Sequence, residues 1–268
     1  MEAFFMAAED AIKNPTPATL LHVEADELES KGNWTGAETA RRRILSLKET
    51  VENFGILAKA QMDLSGLQRL LGRVDEATQF ASAATASARR AEVFPVLVMA
   101  LECESWCALE QGNSSRALAL ASEAVAVIEL GRLYDSMRAK ALAHRARCLV
   151  ANDNPADAEF DLAASWELLQ AHPATKALPG PMVTLANWWE IKGQLEQRQA
   201  RLESAQVAMA RAVEYRRKSE SPYGLFALAR VLNQLSEMLK AAGHWEAADK
   251  TLAETKCIRQ GLNLPSDF

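Results

Sequence analysis

The chain has 268 residues, 49% hydrophobic and 24% charged, with only 12 Gly, 9 Pro and 3 Tyr. That balance describes a mostly helical globular chain that fits one continuous domain. A net charge of −5 argues against a general polyanion binder, which needs a concentrated basic surface, and no run of eighteen apolar residues reads as a membrane span.

Taken in chain order, Phe4, Phe5, Ala8 and Ile12 before Pro15 read as a trailing helix over residues 1–16, left from a truncated or capping repeat. Glu2, Glu9 and Asp10 stand where a secretory signal would be positive, so the expected compartment is cytoplasmic. Residues 17–268 then read as a single solenoid. Its helices come in pairs, at 17–31 and 35–52, 56–71 and 74–92, 95–111 and 115–131, 136–151 and 155–171, 181–199 and 202–218, 222–241 and 245–260. Pro17, Pro95, Pro155, Pro181 and Pro222 fall at or near first turns, where the missing N–H costs nothing. The stretch Ala171–Pro181, with three prolines and Gly180, reads as an irregular loop and as the point of greatest mobility. The last helix ends at Gly261 with its outer side uncovered, so both ends read as those of a fragment.

A spacing repeated six times carries the pairing. A small residue is followed seven positions later by a turn residue and five after that by Ala: Ala25/Gly32/Ala37, Ser65/Gly72/Ala77, Ser105/Gly112/Ala117, Ala146/Asp153/Ala158, Gly193/Ala200/Ala205 and Ser236/Gly243/Ala248. Successive turn positions lie 40, 40, 41, 47 and 43 residues apart, the range of stacked helical hairpins. Two helices approach closely only where facing side chains are small, and the link between them needs a residue that tolerates left-handed φ.

Few residues invite chemistry. Cys107 and Cys148 occupy a mostly apolar column of the repeat, and Cys103 and Cys107 lack a second pair to complete a zinc site, so they read as buried small hydrophobes. Asn33-Trp34-Thr35 and Asn113-Ser114-Ser115 match a glycosylation pattern but lie in turns where Asn is expected anyway. Arg41-Arg42-Arg43 reads as a solvated mid-helix face, and Arg89-Arg90 and Arg216-Arg217-Lys218 as complements to helix dipoles. His22, Asp26 and Glu29 share one face and could ligate a metal, although a solvated face is commoner and no fourth ligand is identifiable. With no phosphate loop, nucleophile elbow or zinc-protease motif, the chain is expected to be non-catalytic, with no cofactor and no metal.

At the same spacing, Gly32-Asn33-Trp34 with Ala37 and Gly243-His244-Trp245 with Ala248 resemble the turn of the tetratricopeptide repeats; Gly72-Arg73-Val74 and Gly112-Asn113-Ser114 are partial matches. The resemblance covers about residues 17 to 260 and departs from the common 34-residue form in its longer period and in lacking the aromatic and proline of the second helix. It implies an all-α, right-handed superhelical solenoid of six antiparallel helix pairs whose first helices line a concave groove. Carried over by column, the groove positions are Lys59, Met62, Arg69, Met99, Trp106, Lys140, Arg147, Asn187, Glu190, Arg230, Asn233 and Glu237. Trp106 would anchor a ligand if exposed and serve the core if not. The corresponding Asp26, Gly66, Arg147, Gln194 and Glu237 favour exposure. No Lys-x-x-x-Asn occurs, so the chaperone-tail carboxylate clamp of the family is not expected. The resemblance implies a scaffold that binds a peptide or protein segment; charge and hydropathy add the expectation of no direct contact to nucleic acid or membrane. The 40-residue period leaves open a sensor domain of a larger bacterial transcription regulator or signalling protein.

Overall fold

A computed structural model describes residues 15–171 and 179–264. The trailing helix expected before Pro15 and residues 172–178 of the expected 171–181 loop lie outside the described residues; residues 179–181 belong to a helix rather than to the loop.

Among the described residues every regular element is a helix: α1 (Pro17–Ser30), α2 (Trp34–Leu45), α3 (Lys48–Val51), α4 (Phe54–Leu70), α5 (Val74–Ala91), α6 (Phe94–Glu110), α7 (Ser114–Gly131), α8 (Asp135–Ala151), α9 (Pro155–Ala171), α10 (Pro179–Arg198), α11 (Leu202–Arg216), α12 (Pro222–Ala241) and α13 (Trp245–Gly261). With α3 as an appendage of α2, they form six antiparallel pairs, and each second helix also packs on the next first helix. The expected 35–52 helix is divided at Ser46 and Leu47. Leu47 takes an extended conformation and packs against the first pair, while Glu49 of the short α3 accepts the Ala18 N–H at 2.8 Å and so caps the start of α1.

The six turn residues share one conformation. Gly32, Gly72, Gly112, Asp153, Ala200 and Gly243 all have positive φ, between 57° and 81°. In the first turn the Gly32 N–H bonds Glu29 O at 2.9 Å and the Asn33 N–H bonds Leu28 O at 2.8 Å, and the same pair of bonds recurs in all six. Left-handed geometry at this point satisfies the last carbonyls of each first helix and reverses the chain. Asn33 and Asn113 then cap the second helices, accepting from Gly36 N and Arg116 N at 3.1 Å.

All twelve small positions of the repeat are buried. Three of them do more than leave room. Ser65, Ser105 and Ser236 each donate their hydroxyl to the carbonyl of the Ala twelve residues later, Ala77, Ala117 and Ala248, at 2.8–3.0 Å. The bond ties the two helices at their closest approach. Ala117→Leu should therefore overpack the crossing and lengthen the Ser105 bond, costing about 1–3 kcal/mol. Urea denaturation gives the magnitude, and hydrogen exchange should show the loss concentrated in α6–α9 rather than spread evenly.

The two ends of the solenoid meet. Trp34 donates its indole N–H to Leu262 O at 2.8 Å across 228 residues of sequence. Trp34, Ala37, Leu67, Leu70, Leu262 and Leu264 form one buried cluster, with Leu225, Phe226 and Ile258 packed against it. The last helix keeps most of its own surface exposed, with only Ala248 and Thr255 buried, while the residues after it dock onto α2 and α4. Tyr223 of α12 joins the same seam, close enough to α4 that a Cβ on Gly66 would meet its ring at 3.8 Å.

The charged cluster beside the seam corrects two further expectations. Arg41 is buried, not solvated, with Nε 2.6 Å from Glu29, Nη2 2.7 Å from Asp26 and Nη1 3.5 Å from His22 Nδ1. The His22, Asp26 and Glu29 face thus holds a guanidinium. Burial pushes the Tyr223 hydroxyl above the ordinary phenol range, and Glu29 adds to it.

Candidate functional site

Closure of the ring turns the concave face into a hollow interior. Its walls come from α4, α6, α8, α10 and α12, the first helices of five successive pairs, which the repeat spacing orients inward. Among the described residues, three hollows border it. The largest is a cavity of about 450 Å³ walled by Trp106, Arg147, Gln194, Arg198, Arg230 and Gln234 among others. A second, of about 180 Å³, lies toward the seam between Arg69, Trp106, Asn187 and Tyr223. A third, of about 20 Å³, sits beneath Lys140 and His144.

Trp106 of α6 borders all three. Its two readings are both partly realised, since the side chain is half-buried, with one part on the His144 ring at 5.1 Å between centroids and the rest facing the interior. Three guanidiniums surround the indole: Arg147 at 4.5 Å, Arg69 at 5.2 Å and Arg230 at 5.3 Å from the ring centroid. Cations over an indole face are attracted by its quadrupole and hold it in place.

Behind this surface, Glu190 of α10 is wholly buried. Arg147 Nη1 lies 2.7 Å from Oε1, Arg230 Nη2 2.9 Å from Oε1 and Arg216 Nη2 3.2 Å from Oε2. The same Arg216 amino group donates to Asn187 Oδ1. Burial opposes the Glu190 charge, yet Arg147 and Arg230 outweigh it and hold the carboxyl well below its ordinary range. In the reverse sense, burial and the neighbouring arginines lower Arg230 to about 10, with Glu190 offsetting part of the effect. Arg69 is matched separately, forking onto Glu110 with Nε at 2.9 Å.

His144 supports the wall from below. Ser105 already donates its hydroxyl to Ala117, so the His144 Nε2 at 2.8 Å is assigned as the donor to Ser105 Oγ. Burial, reinforced by Arg147 and Lys140, keeps this imidazole neutral far below its usual pKa.

The structure therefore brings Arg69, Trp106, Arg147, Asn187, Glu190 and Arg230 into one cluster, with Lys140 beside it on Glu102 at 2.6 Å. Met62 turns into the core among Ala58, Ala84, Ala88 and Ala100, filling the space those alanines leave. Lys59 is paired with Asp63 and Glu237 with Lys240, while Met99 and Asn233 are exposed; none of these four borders any of the three hollows. Arg216 was expected to serve only its helix dipole. It is buried instead, and a signal for this existed: it continues the buried stripe Ala205, Met209, Ala212 at helical spacing.

Cys107 and Cys148 are buried as expected, whereas Cys103 is only half-buried and Cys257 is exposed; all four are unbridged. Among the described residues no group of His, Cys, Asp and Glu could hold a metal, and no helix is long and apolar enough to cross a membrane.

No family model matches the sequence, and no curated protein matches it. Solved structures do. A Rap protein complexed with competence and sporulation factor is 12% identical and superposes with a TM-score of 0.66, over 98% of this chain and 81% of that one. RapI in its apo form gives 12% identity, the same coverage and a TM-score of 0.56. BtubC (BKLC) from P. vanneervenii is 18% identical over 91% of this chain and 92% of that one, with a TM-score of 0.52. Likeness at this identity concerns architecture, and it agrees with the repeat geometry: the chain is a tetratricopeptide-like helical solenoid.

Proposed function

We propose that the chain is a non-catalytic binding module that takes a peptide or protein segment into its hollow interior. The observation that carries this reading is Trp106, half-buried and braced by three guanidiniums, at the meeting point of the three hollows. An indole fixed before binding offers a large contact area at little entropic cost. Gln194 and Gln234, bonded to each other at 3.1 Å, add amides suited to a peptide main chain. The Rap structure with its bound factor is a precedent in a similar architecture.

The test is selection from a random peptide library on the immobilised chain, followed by affinity measurement on wild type and Trp106→Ala. Loss of the indole should weaken the selected peptides by about 2 kcal/mol, near thirtyfold. Equal affinity for both proteins would move the binding site off the interior.

The seam favours a second reading, a regulatory sensor domain of a larger signalling protein. Both the Trp34–Leu262 bond and Tyr223 join the ends of the ring next to the hollows, so an occupant can bias closure. A spin-label distance between positions 39 and 260 that changes on peptide binding would support it; an unchanged distance would leave the scaffold.

A further inference from the structure

Charge within the interior does not balance. Around Glu190 stand Arg147, Arg216 and Arg230, three guanidiniums against one carboxylate. Elsewhere the buried acids and their partners match more closely: Arg145 forks onto Asp161 at 2.6 and 2.7 Å, and Arg116 meets Glu104. Arg147 is 5% exposed, yet its Nε and Nη2 have no acceptor, and neither has Nε of Arg216 at 7%. Buried donors without acceptors are costly and call for an explanation.

The unpaired donors of Arg147 and Arg216 are themselves shut off from solvent, and the excess charge reaches open space at Arg230. Arg147 and Arg230 both wall the 450 Å³ cavity, and Arg198 stands at its rim. Side chains of Arg230 and Arg198 are 32% and 55% exposed; Arg198 meets the exposed Asp153 only at 3.7 Å, so each retains donors for an occupant. Glu110, the one acid on this wall, is already engaged by both nitrogens of the Arg69 fork. A cleft with one sign of charge and low-dielectric walls concentrates counter-charge, even in a chain whose net charge is −5.

The geometry points to an anion site: the cavity holds a carboxylate or phosphate group carried by the bound peptide, with Arg230 and Arg198 as its direct partners and Trp106 as its planar wall. This assignment rests on the peptide-binding reading above. Glu190 acts as a positioning residue, fixing the Arg230 and Arg147 forks from behind without reaching the ligand. Bidentate guanidinium geometry suits either oxyanion. Burial lowers the proton affinity of Arg230 most, and Arg147 and Arg216 lower it further; an added anion would relieve that second part.

The experiment follows arginine Nε–Hε resonances during titration with four probes: citrate, inorganic phosphate, and library-selected peptides in acidic or phosphorylated form and with those groups neutralised. The Arg230 and Arg198 signals should shift with the anionic peptides. Arg230→Gln should weaken these peptides tenfold or more, as should Arg198→Gln at the solvent-exposed rim, where folding is not at stake. Neutralised peptides should bind at least tenfold more weakly, and added salt should reduce the difference.

Selected peptides that need Trp106 but tolerate neutralisation and Arg230→Gln would overturn the anion site and leave the peptide reading standing. Tight binding of citrate or phosphate alone, with no peptide retained, would uphold the anion site and overturn a peptide as its source. Absence of any shift with all four probes would overturn the anion site, and failure to retain any peptide as well would overturn both.

Discussion

Replacing Glu190 by Gln should destabilise the chain by about 3 kcal/mol at pH 7, the low end of the range for breaking a buried ion pair. The substitution keeps shape and volume, so packing is not the cause. It removes the carboxylate that meets Arg147, Arg216 and Arg230 at 2.7–3.2 Å, in a position with no solvent exposure. Three guanidiniums would then repel one another at short range without compensation. The cost stays near 3 rather than 5 kcal/mol because Arg230 is one-third exposed and water screens its share. Urea denaturation of both proteins measures it.

The pH dependence gives an independent check with a fixed sign. The Glu190 carboxyl is depressed in the fold below its ordinary 4.5, so its contribution is fully present above that value. It is lost as pH falls toward the depressed value, because the unfolded chain takes up the proton first. The gap between wild type and Glu190→Gln should therefore hold from pH 7 to 5 and close below about pH 4. A gap that widens on acidification, or one below 1 kcal/mol at pH 7, would mean that the three arginines find other partners.

Local rules made the hairpins legible and stopped at longer range. Left-handed turns at Gly32 or Asp153 and zero exposure at Ala37 or Ala158 depend on neighbours within about fifteen residues, so a recurring spacing exposes them. The inward columns bring Trp106, Arg147, Asn187, Glu190 and Arg230 into one cluster for the same reason. Met62 escapes that logic because the alanines across from it, at 84, 88 and 100, leave a space that pulls it inward. Arg41 and Arg216 were legible in principle: each lies on a buried stripe, Ala37-Arg41-Ile44 and Ala205-Met209-Ala212-Arg216. Their charge overrode the spacing, since a lone buried arginine is costly unless its acid is known, and Glu29 and Glu190 lie 12 and 26 residues away. The division of the second helix at Leu47 depends on tertiary contact with α1. Closure of the ring is the extreme case, because no local pattern reports a partner 228 residues distant.

That closure makes Trp34 the residue whose loss should be felt most widely. Trp34→Ala should cost about 3–5 kcal/mol, as for other large-to-small changes of buried aromatics. The side chain is 7% exposed, contacts the cluster of Leu67, Leu70, Leu262 and Leu264, and its removal leaves the Leu262 carbonyl without its donor. In an open solenoid each terminal pair has one neighbour; here the first and last pairs also meet, and the indole supplies both a hydrogen bond and apolar contact across that seam. Hydrogen exchange in Trp34→Ala should accelerate first at residues 17–45 and 245–264 while α6 to α9 keep their protection, since coupling between repeats passes through neighbours. Scattering should show a larger radius of gyration as the ends part. Trp34→Phe separates the two contributions: it keeps most of the apolar contact and loses the hydrogen bond, so it should cost about 1 kcal/mol and leave the ring closed. Equal protection loss in all six pairs of Trp34→Ala would show that the ring opens as one cooperative unit, and the hollow that holds Trp106 would then exist only while the seam is shut.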